Sequence, residues 1–450
     1  MKSVFALTAL VLLLACLTVV GCSSGHSNAP AALYVSGFAH NATTMRDFPL
    51  VWSGLSYTQL SRLDPTCHGY ATGIATLQGS VYLSGTSPRC FGTSEAMLIV
   101  GAPVVWKDGQ RTDLPTPDNN HLQAVAEAVA VNANGDVVVV GAVSSSTGPG
   151  GLTVPAPAYW KNNALNILTI SPACTEEVTD ACYDGAIVTS AAFSGSDLYL
   201  AGYAGYANAS ASHSKYMVPV LWKNGVFSVL PVDLANNLAA DEFYRVRVYG
   251  DDVYVFGVVT NLNDVSESYP AHWKNGQLTV LRDQVGVTYD AVVQNGSVYA
   301  AGYYYNHRGF ANPAVWDNGA MTPLSMLDPA LVGLATGIQY LGDNQYVSGY
   351  NFYQPDPSEN TWYAKPAVWV NGERTNLNAP PLNGSTMAEN AAATSGIPGM
   401  SLYKQWKANE AGDPQWKDFA PYLNTNRLVS NRQPMDDVLS HAVATGIAVE

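Results

Sequence analysis

Charged side chains are scarce, at 12% of the 450 residues, about half the share usual in soluble domains. Basic residues are the scarcer kind, with 21 Lys and Arg against 35 Asp and Glu and a net charge of −14. Without a basic face the chain cannot neutralise phosphates, which excludes nucleic acid as a partner. It equally disfavours adhesion of the protein surface to anionic lipid. After the first 21 residues no apolar run is long enough to span a bilayer. Several catalytic signatures are missing too: there is no G-x-S-x-G elbow, no H-E-x-x-H and no phosphate loop. The eight His are scattered without metal-ligand spacing. The acidic stretch "NLNDVSE" (261–267) lacks the spacing of a dedicated calcium loop. No metal and no cofactor is therefore expected. What the chain has in quantity is Tyr, 26 of them, which suits an exported all-β protein surfaced with aromatics and uncharged polar groups.

The N-terminus reads "MKSVFALTALVLLLACLTVVGC". One Lys, a run of about 17 apolar residues and then small residues form a secretory signal over 1–21. Val19-Val20-Gly21-Cys22 resembles the lipobox of bacterial lipoproteins. That resemblance implies a diacylated Cys22 as the mature N-terminus, with residues 22–31 as a short polar tether. It implies a bacterial cell-envelope address outside the cytoplasm, at the outer membrane or cell surface, with the membrane as a partner through lipid. Two acyl chains hold a soluble domain stably.

Beyond residue 31 the chain repeats itself, and internal periodicity takes precedence over single motifs. The phrase P-x-x-W occurs seven times, from Pro49–Trp52 to Pro366–Trp369, at intervals of 43 to 62 residues. Most copies continue into an Asn-Gly or Asp-Gly pair, as at Asn275-Gly276, and then a short alternating strand. Such pairs favour the positive φ angles of tight hairpins. Upstream of each Pro lies a β-branched and aromatic run ending in Gly, such as "VYVFG" to Gly257 or "VYAAG" to Gly302. In six copies a further strand precedes that run. The unit is four strands, a to d, in about 50 residues. One such unit cannot bury both faces, but seven packed around an axis can. The predicted fold is all-β, a seven-bladed β-propeller over 32–450. The Trp side chains are expected to pack between blades.

The first copy lacks strand a, and the chain ends on "HAVATGIAVE", a copy of "GYATGIATL" at 69–77. The C-terminal strand is expected to complete the first blade and close the ring. Residues 379–436 lack the repeat and read as an insertion, either an excursion over one face or a degenerate eighth blade. With Cys16 in the signal and Cys22 lipidated, four Cys remain, and an even number in an exported chain suggests disulfides. Cys67 and Cys90 each stand 11 residues from the Gln78-Gly79 turn, so they face one another across one hairpin. Cys174 and Cys182 then pair within a loop.

The W-x-N-G-x-x-x-x-L alternation after a Gly-containing strand resembles the HAF-type extracellular repeat and related bacterial propeller repeats. The resemblance covers most of 32–378 and implies export and a propeller, with no shared activity. This chain departs from it in placing Pro before the Trp, where that family tends to have an aromatic.

The a–b and c–d connections are short, whereas the b–c connections, 11 to 18 residues from Gly to Pro, and the d–a connections are long. Both long sets belong to one end of the ring, where binding groups are expected. Those loops carry Tyr, Asn and Ser. Tyr304, Tyr305 and His307 in one, and Tyr353 and Trp362 in another, are the candidate ligand contacts, because stiff aromatics with polar tips suit a glycan or protein ligand. His272, beside Trp273 in a strand, reads as a packed histidine. Glu127, Arg245, Arg247 and Asp290 stand in innermost strands where other copies have Ala, Thr or Gly. They form an inter-blade ion pair or a polar channel floor. The loop acids Asp264, Glu267, Asp356 and Glu359 show no pairing by spacing, so no catalytic residue is assigned. The function expected is a lipid-anchored binding module. The alternatives are a scaffold subunit of an envelope assembly and a polysaccharide-active enzyme.

Overall fold

The computed structural model describes residues 33–41, 46–91, 98–117, 124–145, 154–174, 182–207, 216–236, 238–240, 245–261, 263, 267–281, 284–353, 362–379, 438–440 and 442–449. Cys22, the tether and residues 380–437, which hold nearly all of the insertion, lie outside them. The described residues form seven antiparallel blades of four strands in a ring, a seven-bladed β-propeller. Blade 2 is typical, with Tyr70–Leu77, Ser80–Thr86, Pro103–Lys107 and Gln110–Asp113 as strands a to d. Blade 1 takes its strand a from the other end of the chain: Ala442–Val449 pairs antiparallel with Leu33–Asn41. In blade 5 strand a is split into Leu238–Ala240 and Arg245–Tyr249, both paired with Asp252–Asn261.

All seven repeat Trp residues are fully buried. Trp273, for example, packs among Ile187, Leu230 and Val246, which belong to blade 4 and its own blade. The indole N–H has a task that the repeat phrase does not disclose. In six blades it donates to a carbonyl just past strand d of the preceding blade, as from Trp106 to Ser61 at 3.0 Å and from Trp222 to Thr169 at 2.9 Å. Trp52 closes the circuit onto Asn378 at 2.7 Å. Six of the seven Trp residues therefore seal an interface and fasten it with one hydrogen bond. Trp316 is as deeply buried, but its indole N–H has no partner among the described residues, and none of the seven offers a face to a ligand.

The Pro three residues earlier also has a physical reason. Its carbonyl accepts the amide of the Leu that follows strand d in every blade, as from Leu281 to Pro270 at 2.8 Å. Strand d ends there, and the pair is one-sided because proline has no N–H to return the bond. Proline thus fits the last rung of the c–d ladder and cannot extend it. The turn residue does comparable work. Asp108, Asn162, Asn224, Asn275, Asn318 and Asn371 all sit at φ between 47° and 51°. The side-chain oxygen of each accepts an amide at the start of strand b, Asn275 from Val253 at 2.9 Å. The c–d turn is thereby stapled to the neighbouring a–b turn.

The strand-b Gly answers to a bulge. In six blades the a–b register slips by one residue, as between Ala71 and Gly73 or Thr288 and Asp290. The displaced carbonyl of strand a is pushed onto the Gly: a Cβ on Gly302 would stand 1.8 Å from the Val287 oxygen, and on Gly202 1.9 Å from that of Ile187. Glycine is the residue that permits the bulge.

Cys174 and Cys182 form a disulfide. Cys67 is buried and disulfide-bonded, while the side chain of Cys90 lies outside the described residues. No helix of the described residues is long and apolar enough to cross a membrane.

Candidate functional site

The bulges set the height of the innermost side chains. Immediately after the slip, each strand a places one residue opposite the residue that precedes the strand-b Gly. These are Gly73, Ala128, Ser190, Asp290, Gly337 and Gly446, with Arg245 at the same level in blade 5. They form a ring around the axis, one from each blade. Five are small because the strands crowd there: a Cβ on Gly73 would lie 2.8 Å from the Ala128 Cα of the next blade. Arg245 and Asp290, in adjacent blades, are the exceptions. Two residues further on lies a second ring of Ala75, Ala130, Ala192, Arg247, Val292, Gln339 and Ala448. Small side chains at this level leave room, and a cavity of about 550 Å³ occupies the axis.

All seven innermost strands line the cavity, and so do the a–b turn residues Ala133 and Gly195. It therefore reaches the short-turn end of the ring, whereas the sequence pointed to the long-loop end. Physically, the bulge ring narrows the axis at mid-strand, and the alanine ring widens it toward the short turns. Strand a is the edge strand of each blade, so the walls also present backbone N–H and C=O groups.

The charged groups are tied to one another. One carboxylate oxygen of Asp290 accepts from Arg247 Nη2 at 2.5 Å and lies 3.8 Å from Arg245 Nε. The other accepts the Ile338 amide at 3.1 Å. Arg245 Nη1 donates to the Thr189 carbonyl at 2.6 Å, and Arg247 Nη1 to that of Val246 at 3.0 Å. Each Arg side chain keeps about a quarter of its surface accessible, 24% and 25%, against 10% for Asp290. Each guanidinium has five N–H donors, so these contacts leave donors on both facing the cavity. Burial lowers the Arg245 pKa, and Asp290 offsets part of that.

Glu127 is the bulge residue of blade 3, unpaired between Ala126 and Ala128. It is buried, and its Oε1 has no hydrogen-bond partner. Burial raises its pKa from 4.5 to about 7, with Arg245 pulling the other way. The folded state thus binds more protons than the unfolded chain between pH 4.5 and 7, so this group makes stability fall as pH rises through that window. Above pH 7 the cost is fully present. Glu127→Gln is expected to stabilise the protein by about 3 kcal/mol at pH 8 and to leave it unchanged near pH 4. Denaturant titrations at the two pH values check this; equal stability of both proteins at pH 8 would contradict it.

A second polar cluster, absent from the sequence reading, stands at the long-loop end of blade 1. Asp47 Oδ2 accepts from His68 Nδ1 and from the Tyr70 hydroxyl, each at 2.9 Å, and Arg46 Nη1 lies 3.3 Å from His68 Nε2. Burial, then Asp47, raises the Tyr70 pKa well above its usual value. Arg62 ties the same segment by donating to the carbonyls of Cys67 and Asp47. The cluster clips the start of strand c to the connection after strand d.

The other predicted contacts divide. Tyr304 and Tyr305 lie inside strand b of blade 6, Ser297–Tyr305, and not in a free loop. Both are half-buried, and Tyr305 sets its ring edge-on against Tyr303 at 5.5 Å. His307 is exposed in the turn that follows, whose amides converge on Asn306. Tyr353 ends strand b of blade 7, with Lys365 over its ring at 5.5 Å. The side chain of Trp362 lies outside the described residues, as do Asp264, Asp356 and Glu359. Glu267 is described and accepts from Asn261 at 2.8 Å. His272 packs beside the rings of Tyr254 and Phe256, its pKa lowered by burial. Among the described residues no group of His, Cys, Asp and Glu could hold a metal ion.

No family model matches the chain, and no curated protein does. Similar solved structures include the β-propeller domain of the Trilobed protease from Pyrococcus furiosus, 9% identical, covering 80% of this chain and 95% of that one at a TM-score of 0.45. An ulvan lyase of a polysaccharide lyase family is 12% identical, covering 70% and 87% at 0.44. A protein of unknown function from Dyadobacter fermentans is 12% identical, covering 69% and 96% at 0.43. Likeness at this level carries no activity across. The propeller assignment rests on the strand order of the chain itself.

Proposed function

We propose that this chain is a lipid-anchored protein of the bacterial cell envelope that binds a ligand in the axial cavity of its propeller. The observation that supports this reading is the break in the repeat. Seven strands supply the same two levels of side chain, small at most positions, and charge appears only on adjoining blades, at Arg245, Arg247 and Asp290. A ring held together by packing alone has no need of charge at its axis, where desolvation is costly. The cavity falls within the size range of small-molecule sites. Binding fits better than catalysis, since the cavity offers one carboxylate among the described residues and three donors already occupy or flank it. Glycoside hydrolysis needs two carboxyl groups roughly 5 to 10 Å apart.

Cys22 would tether the ring to the membrane by lipid, and the polar stretch 22–31 would give it reach. Glycans and other small polar compounds are the ligands to screen. Filling the cavity tests the site. Ala130→Leu adds bulk at the second ring, away from the charged groups. It should weaken binding of a hit from a glycan and metabolite library more than ten-fold while leaving the melting temperature nearly unchanged. Lys274→Ala, at the exposed pair with Asp252 on the outside of blade 5, should leave binding intact. Full binding by the Ala130 variant would place the site elsewhere.

A further inference from the structure

We infer that the axial cavity takes a small organic acid with a single carboxylate, seated on Arg247 and Arg245. This rests on the cavity being the ligand site, as proposed above.

Charge comes first. The groups lining the cavity are Arg245 and Arg247, two positive charges, and Asp290, one negative charge, which leaves one positive charge to be balanced. A monoanion balances it; a phosphate dianion would overshoot. Geometry agrees. Asp290 holds the two guanidiniums together on one oxygen and is itself fixed by the Ile338 amide. The pair is thus preorganised, with planar N–H donors left over, the arrangement that grips a carboxylate through two parallel hydrogen bonds.

The rest of the wall describes the rest of the ligand. Gln339, in blade 7, lines the same cavity, while Ala75, Ala130, Ala192 and Ala448 belong to blades 1 to 4. One side of the cavity is therefore charged and amide-bearing, and the other is uncharged, with alanine methyl groups set among the polar side chains of Thr76, Asn132 and Ser190. An acid with a compact body fits this division, its carboxylate on blades 5 to 7 and its body on blades 1 to 4. Glu127 does not line the cavity, but its charge would act on Arg245. Burial raises its pKa to about 7 and leaves it uncharged below that pH, so the count of one positive charge holds in measurements made near pH 6.

Matched acids and amides test the inference by calorimetry on the full chain. The probes are glucuronate, lactate and N-acetylalanine, each against its neutral amide, with inorganic phosphate as a competitor. At least one acid should bind ten-fold or more tightly than its amide, and Arg247→Gln should erase that difference. An amide that binds as tightly as its acid would overturn the inference and leave the cavity standing as a site for neutral ligands. So would phosphate binding more tightly than every acid. Absence of heat with all three acids also overturns it, and the library screen with Ala130→Leu then decides separately whether the cavity binds anything. Should Arg247→Gln fail to fold, the acid and amide comparison on the unaltered chain still decides.

Discussion

Removal of residues 441–450 is expected to abolish the cooperative unfolding of the ring. The strand Ala442–Val449 is the innermost strand of blade 1, and seven residue pairs join it to Leu33–Ala39. It is fastened on both sides. Thr336 of blade 7 donates to its Ala444 carbonyl at 2.7 Å, and its own Thr445 donates to Ala71 of blade 2 at 2.8 Å. Ala444 and Ile447 are buried with Val35, Leu50, Trp52 and Val368. Loss of the strand breaks a ladder and two inter-blade seams, and it bares the edge of Leu33–Asn41. A cost above about 5 kcal/mol would match the whole stability of many domains. Circular dichroism with denaturant titration reads this directly. A truncated chain melting within a few degrees of the intact one would refute closure by the C-terminal strand.

Gly302→Ala should be nearly as damaging, although it adds one methyl group. Its Cβ would meet the Val287 oxygen at 1.8 Å and the Thr288 Cα at 2.8 Å, both backbone atoms of a paired strand. Neither can rotate away, so the bulge must open or the strands must part. Overpacking commonly costs 1–3 kcal/mol; with backbone as the obstacle, about 3 kcal/mol or more is expected. Gly296→Ala gives the comparison. That turn residue has φ 79° and open space around it, so only conformational strain of about 1 kcal/mol applies. Equal losses at the two glycines would show that close approach does not explain the strand-b position.

Much of the architecture was legible because it is repeated. Seven P-x-x-W phrases and the Asn-Gly turns gave the blade count and strand order, and "ATGIA" at both ends disclosed the closure. The strand-b Gly served as a ruler. Counting back 12 residues from Gly257 and Gly302 reaches Arg245 and Asp290, and the pairing sets both opposite the residue before that Gly. The bulge itself was not legible. The extra residue is Thr in four blades, Thr72, Thr189, Thr336 and Thr445, but Glu127 and Tyr289 in two others, and a Thr within a strand is too ordinary to announce a bulge. The partners of the indole N–H groups lie 42 to 53 residues upstream of five Trp residues and 326 downstream of Trp52, beyond any local pattern. Loop length favoured the long-loop end, but the open volume follows from alanines at a level that the bulge fixes. Tyr304 and Tyr305 read as loop residues because the strand-b phrase ends at Gly302, whereas pairing with Ala311–Asp317 carries the strand on to Tyr305.

The central claim is that the axis carries the ligand, and a crystal structure of the chain soaked with glucuronate, lactate and N-acetylalanine tests it most directly. The account predicts density inside the alanine ring, with a carboxylate within hydrogen-bond distance of Arg247. Density over the long-loop end beside Tyr353 and His307, with the axial cavity holding only water, would contradict it.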